Sequence, residues 1–143
     1  MTQIINKQFD GTRKAIFVIN FTIASTTAET YEIIPSALNN SKGFATGATA
    51  NSGDICTMLT INKVWWSVNN TAVVKPLKID WKATTNKLAL TCNYADSKDF
   101  STIGGLLNST IGDGGSTGGV EVKFTSVTND DTASLVLELL KSY

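Results

Sequence analysis

Apolar and polar side chains alternate along several segments of this chain, and no other feature constrains its fold as strongly. Residues 77–83 read Leu-Lys-Ile-Asp-Trp-Lys-Ala, and residues 120–125 read Val-Glu-Val-Lys-Phe-Thr. Successive side chains of a β-strand point to opposite faces, so each segment is predicted to be a strand with one buried and one wet face. Nothing convincingly helical separates these segments. The pattern therefore predicts an all-β protein.

Clusters of turn residues divide the chain into short strands. The predicted strands span residues 13–24, 31–34, 55–68, 73–83, 87–92, 120–128 and 133–141. Hairpins are predicted around residues 84–86 and 129–131, a long loop or a loop with a short strand at 36–54, and an irregular segment at 95–119. About eight antiparallel strands with minimal helix predict a β-sandwich or a jelly-roll-like barrel.

A length of 143 residues suits one domain. We expect an N-terminal arm at residues 1–9, followed by a single β-sandwich domain at residues 10–143. The arm has no evident strand partner, so we expect it to dock onto a neighbouring protein; the alternative is an edge strand of its own domain.

The predicted strand at residues 55–68 changes the parity of its apolar residues in the middle. A period-two face changes parity only where an extra residue is inserted, so a β-bulge is predicted near Asn62 and Lys63. The apolar residues before the bulge are Ile55, Leu59 and Ile61, and those after it are Val64, Trp66 and Val68.

Some large apolar side chains are predicted to lie away from the core. Trp66 continues the buried face, so its neighbour Trp65 should point outward. A loop of the same chain could cover Trp65, or it could anchor an interface or stack on a sugar. The candidate interface residues, on the arm and on the outer faces of strands, are Ile4, Ile5, Phe9, Ile16, Val18 and Trp65.

The residues that catalysis and metal binding usually require are scarce. The chain has no His, and its closest acidic residues lie in predicted turns, where Asp caps its own backbone. Asp96, Asp99 and Asp113 are possible calcium ligands, but the ligand spacing of an EF-hand is missing. The glycine-rich residues 112–119 lack the ending of a phosphate loop. We predict no catalytic residues, no cofactor and no metal, and hence a protein that is not an enzyme.

Charge and hydropathy limit the predicted partners. The formal net charge is +0, from 12 basic and 12 acidic residues. Nucleic-acid binders usually carry a basic excess, so no nucleic acid is expected. No segment approaches the roughly 18 apolar residues of a membrane span, so no membrane is expected, and the apolar run 15–21 is interpreted as a strand and not as a leader. Cys56 and Cys92 are interpreted as reduced core residues, with a disulfide as the alternative.

The second half of the chain, roughly residues 60–143, resembles a family of small virion structural proteins of tailed bacteriophages. The segments that carry the resemblance are Val64-Trp65, Ile79-Asp80-Trp81, Phe100-Ser101-Thr102-Ile103-Gly104-Gly105, Val122-Lys123-Phe124-Thr125-Ser126-Val127 and residues 135–141. The resemblance implies a β-sandwich and supplies no catalytic residues.

The same resemblance implies a function in the virion. We expect a capsid decoration (cement) protein, made in the cytoplasm of the bacterial host and located on the capsid surface, where it stabilises the shell. The implied partners are the major capsid protein and copies of the chain itself, as a homo-oligomer that we expect to be a trimer. The alternatives are a neck or tail component, or a lectin-like, carbohydrate-binding β-sandwich.

Overall fold

The computed structural model describes residues 3–24, 26–38, 56–110 and 112–143. These residues form nine strands and two short 3-10 turns, Pro35–Ala37 and Ser101–Ile103. The strands are β1 Gln3–Asp10, β2 Lys14–Thr22, β3 Glu29–Ile33, β4 Met58–Asn69, β5 Leu77–Trp81, β6 Lys87–Cys92, β7 Ala95–Asp99, β8 Val120–Phe124 and β9 Thr132–Ser142. The all-β prediction is confirmed.

Two antiparallel sheets form a β-sandwich. One sheet has the order β1-β2-β9-β4-β7 and the other the order β3-β8-β5-β6. The alternating apolar residues of both sheets meet in one core, which includes Phe17 and Leu137 from the first sheet and Trp81 and Phe124 from the second. This packing follows from the period-two pattern, since each strand buries one face and leaves the other outside.

The predicted bulge in the second long strand is confirmed. Against β9, Ile61 pairs with Leu139 and Lys63 pairs with Glu138, so Asn62 is the extra residue. The inserted residue reverses the parity of β4. As a result Leu59 and Ile61 before the bulge and Val64 and Trp66 after it all face the core.

The N-terminal segment has a partner within its own fold. Strand β1 pairs antiparallel with β2, from Gln3 opposite Phe21 to Asp10 opposite Ala15. The expectation of an arm without a strand partner is therefore wrong for residues 3–9, and the edge-strand alternative is what the structure has. Pairing with β1 gives the backbone N–H and C=O groups on that side of β2 their hydrogen-bond partners.

One predicted hairpin is confirmed and the other is wrong. Strands β5 and β6 pair across residues 82–86, as predicted. Strand β8 pairs with β3 and β5, whereas β9 lies between β2 and β4 in the other sheet. The seven-residue link between Phe124 and Thr132 crosses from one sheet to the other, so the turn signal at residues 129–131 marks a change of sheet.

Strand β7 was missed because all five of its residues are exposed and show no alternation. It pairs only with β4 among the described strands. The loop predicted at residues 36–54 begins with the 3-10 turn at Pro35–Ala37, and most of it, with Ile55, lies outside the described residues.

Both cysteines are buried and free of a disulfide, as the reduced interpretation required. Burial raises the pKa of Cys92 to about 12 and also raises the pKa of Cys56. The thiolate is the reactive form, so a buried thiol with a raised pKa reacts slowly.

We therefore expect neither cysteine to be alkylated by iodoacetamide in the native protein at neutral pH. Both should be alkylated completely in denaturant, which serves as the positive control. Mass spectrometry of the intact chain counts the modified thiols. Rapid modification of the native chain would show that these segments open readily.

Candidate functional site

Five of the six candidate interface residues lie on one surface, the outer face of the five-stranded sheet. Ile4, Phe9 and Trp65 are 57%, 47% and 46% exposed, and Ile16 and Val18 are half-buried there. Ile5 is the exception: it is paired with the buried Ile19 and packs against the core. Ile5 therefore does not belong to this surface, since adjacent residues of a strand face opposite ways, and its role at an interface stays a prediction.

The register of the sheet brings the central apolar residues together. Val18 on β2 lies opposite Val136 on β9, and Val136 lies opposite Trp65 on β4. Side chains that are directly opposite in an antiparallel pair have Cβ atoms about 5 Å apart, so these three form a continuous apolar row. The row lines a shallow depression of about 240 Å³.

Val136 was missed in the sequence because residues 135–137 are apolar at both parities. A strand that is apolar on both faces gives no period-two signal, although such a run is itself a sign that both faces are covered. A second apolar contact lies beside the row, where Phe9 on β1 pairs with Ile16 on β2. We call the surface formed by Ile4, Phe9, Ile16, Val18, Trp65 and Val136 the outer apolar face.

One side of the outer apolar face is polar and uncharged. Ser134 Oγ donates a hydrogen bond of 2.7 Å to Asn20 Oδ1. Ser134 also pairs across the sheet with Ser67 on β4, and Ile4 pairs with Asn20. Small hydroxyl and amide groups of this kind suit an interface, because they form hydrogen bonds without the desolvation cost of a full charge.

The other side carries charges that balance one another. Glu138 lies 3.3 Å from Lys14 Nζ and accepts a 2.6 Å hydrogen bond from Asn62 Nδ2. Lys63 and Asp99 approach to 3.9 Å. The charges of these two lysines and two carboxylates cancel, so the paired groups would not repel a neutral partner or a second copy of the chain.

The outer face of the four-stranded sheet is different in character. Lys82 lies 3.0 Å from Glu121, and Lys123 lies 3.0 Å from Asp80 and 3.5 Å from Glu121. The hydrogen bond to Glu121 raises the pKa of Lys82, and the hydrogen bond to Asp80 raises the pKa of Lys123. This network of ion pairs is typical of a solvated surface.

The three carboxylates that the sequence offers as possible calcium ligands have other contacts. Asp96 and Asp99 accept hydrogen bonds from the nearby backbone N–H groups of Ser97 and Ser101, and Asp113 lies 2.9 Å from Lys87 Nζ. Within the described residues, no group of three His, Cys, Asp or Glu side chains is placed to hold a metal ion. The described part of the chain also contains no helix long and apolar enough to cross a membrane.

Asp131 is fully buried and joins the loops at one end of the sandwich. Its carboxylate accepts hydrogen bonds from Thr71 N and Oγ1 at 2.8 Å, from Asn70 Nδ2 at 3.1 Å and from Ser126 Oγ at 2.5 Å. Burial opposes the charged form, but these hydrogen bonds outweigh it and lower the pKa of Asp131 to about 2. Every donor belongs to the chain itself, so we interpret Asp131 as a structural hub.

Comparison with known proteins adds nothing to this geometry: the chain matches no family model, no curated protein and no solved structure.

Proposed function

We propose that this chain is a non-enzymatic structural protein that acts by surface association, as a capsid decoration protein of a tailed bacteriophage. The partner surfaces are the major capsid protein and further copies of the chain. The virion assignment rests on the resemblance of residues 60–143 to phage virion proteins. The mode of action rests on the contrast between the two outer faces of the sandwich.

That contrast is the observation that carries the proposal. A solvent-facing sheet normally places polar side chains outside, as the four-stranded sheet does with its ion pairs. The five-stranded sheet instead presents a large aromatic and several aliphatic side chains in adjacent positions. Trp is enriched among the residues that dominate binding energy at protein interfaces, and contiguous exposed apolar surface marks such interfaces.

The test of the virion assignment is the copy number on purified phage particles. A decoration protein should be present in many copies, in a fixed ratio to the major capsid protein, and quantitative mass spectrometry of particles measures that ratio. Only a few copies per particle would assign the chain to the neck or tail instead. Saturable glycan binding by the isolated protein, without capsid binding, would favour the lectin-like alternative.

We expect Trp65→Ser to weaken association while leaving folding intact. Trp65 is 46% exposed, so its loss removes little from the core. An interface anchor of this kind contributes about 2 kcal/mol, or roughly thirtyfold in Kd. Capsid binding is measured by co-sedimentation, and self-association by analytical ultracentrifugation.

Leu88→Ser is the matched control, because Leu88 is a 56% exposed apolar side chain on β6 of the other sheet. It should leave both kinds of association unchanged. Equal losses in the two variants would indicate a general effect of surface hydropathy. If Trp65→Ser binds as the parent does, the outer apolar face is not the docking surface.

A further inference from the structure

An ion pair between the first and last strands lies almost out of contact with water. Lys141 Nζ on β9 contacts Asp10 Oδ1 at the end of β1, 131 positions away in the sequence. The side chain of Lys141 is 0% exposed and that of Asp10 is 7% exposed. The two strands are not neighbours, because β2 lies between them.

The cross-strand partners of both residues are apolar. Asp10 is paired with Ala15, and Lys141 is paired with Leu59, both of which are fully buried. The backbone N–H of Lys141 donates a 2.7 Å hydrogen bond to Arg13 O. Both side chains are therefore positioned by strand backbones, with little freedom to move apart.

We propose that Lys141 and Asp10 condense to an isopeptide bond that joins β9 to β1 across β2. In this step the ammonium group passes a proton to the carboxylate, and the amine nitrogen then attacks Cγ of Asp10. A C–N bond forms, a C–O bond breaks, and the second proton leaves with the hydroxyl as one molecule of water. The reaction needs no oxidant and no further reactant.

Burial and proximity favour this condensation. Holding the two groups in contact replaces a bimolecular encounter by an intramolecular one. Exclusion of water also opposes the reverse reaction, hydrolysis of the amide.

Lys7 is placed to assist the attack. Its Nζ lies 2.9 Å from Asp10 Oδ2, whereas Lys141 contacts the other carboxylate oxygen, Oδ1. A cation at this position stabilises the negative charge that develops on oxygen when the nitrogen attacks Cγ. We therefore interpret Lys7 as a positioning residue for the carboxylate that also stabilises the developing charge.

The cross-link would enclose nearly the whole chain. Closing so long a loop lowers the conformational entropy of the unfolded chain and so stabilises the fold. This inference concerns the fold and does not depend on the partner assigned under the proposed function, so each can fail without the other.

The decisive experiment is mass spectrometry of the full-length protein. The intact, denatured chain is expected to weigh one water molecule less than its sequence. After trypsin, residues 8–13 should be found joined to residues 124–143, with no cleavage after Lys141. A chain of full sequence mass, or separate peptides ending at Arg13 and Lys141, would overturn the proposal and leave a plain buried ion pair.

A second source of the same mass loss must be distinguished. Asp10 is followed by Gly11, and such a pair can close to a succinimide with loss of water. Hydroxylamine cleaves a succinimide and leaves an amide cross-link intact. A hydroxylamine-sensitive mass loss without the branched peptide would therefore also overturn the proposal.

Two variants test the roles of Lys141 and Lys7 in forming the cross-link. Lys141→Arg keeps the positive charge but should show the full sequence mass, since the guanidinium is a poor nucleophile. In freshly synthesised protein, Lys7→Gln should show a larger uncross-linked fraction than the parent at early times. An unchanged fraction in Lys7→Gln would remove Lys7 from the mechanism.

Discussion

Deleting Asn62 is expected to leave this protein folded and to lower its free energy of unfolding by about 2 kcal/mol. Without the extra residue, the pairs Ile61–Leu139 and Lys63–Glu138 become consecutive, so β4 keeps one register with β9 on both sides of the deletion. The core-facing residues of β4 then alternate regularly and stay buried. The deletion removes the hydrogen bonds from Asn62 Nδ2 to Glu138 and from the backbone N–H of Phe100 to Asn62 O, and each contributes about 1 kcal/mol.

That loss is a fraction of the whole stability of a domain, which is typically about 5–15 kcal/mol. Far-UV and near-UV circular dichroism with urea titration measure the outcome. The control is Asn62→Ala, which keeps the residue count and removes only the side-chain hydrogen bond to Glu138. Asn62→Ala should lower the free energy of unfolding by about 1 kcal/mol. A deletion variant that does not unfold cooperatively would contradict this account of the bulge.

Asp131→Asn is expected to lower the free energy of unfolding by about 3 kcal/mol, because the amide cannot accept all the hydrogen bonds that the carboxylate accepts. Its Nδ2 would face a donor, either Thr71 on one side or Asn70 and Ser126 on the other. A loss of this size lowers the melting temperature by about 10 °C in a domain of this length. Thermal unfolding followed by circular dichroism measures it.

The effect of this substitution should also depend on pH with a definite sign. The pKa of Asp131 is about 2 in the folded chain, below its ordinary value of 3.8. A lowered folded-state pKa adds stability that is present above the ordinary pKa and is lost as pH falls towards the folded value. The difference between parent and variant should therefore be constant near neutral pH and shrink between pH 3.8 and about 2.

Asp130→Asn is the matched control, because Asp130 is exposed and has a positive φ of 69°, which Asn also tolerates. It should leave the melting temperature nearly unchanged. An equal loss of melting temperature in both variants would contradict the interpretation of Asp131 as the structural hub of these loops. So would a difference between parent and Asp131→Asn that does not change with pH.

The sequence alone determined the class of the fold and much of its local detail. Alternation of apolar and polar residues predicted the strands, and the parity change at Asn62 predicted the bulge. Both follow because every second residue of a strand faces the core. The same rule separated Trp65 from Trp66. These features depend on neighbours in sequence, so they can be deduced without knowing which strands pair.

Only the tertiary structure decided which strands share a sheet. The turn at residues 129–131 reverses the chain but does not specify whether the next strand stays in the sheet or crosses to the other one. Strands β1 and β7 were mistaken or missed because exposed edge strands bury little and so show weak alternation.

Pairing of distant strands also made the features on which the two proposals rest. Val18, Val136 and Trp65 are far apart in the chain and adjacent only because β9 lies between β2 and β4. Nothing in the sequence singles out Asp10 and Lys141, yet the sandwich buries them together as an ion pair between its first and last strands. Periodicity in the sequence indicates which face of its strand a residue occupies, whereas contact between distant residues is set by the order of strands in the sheet.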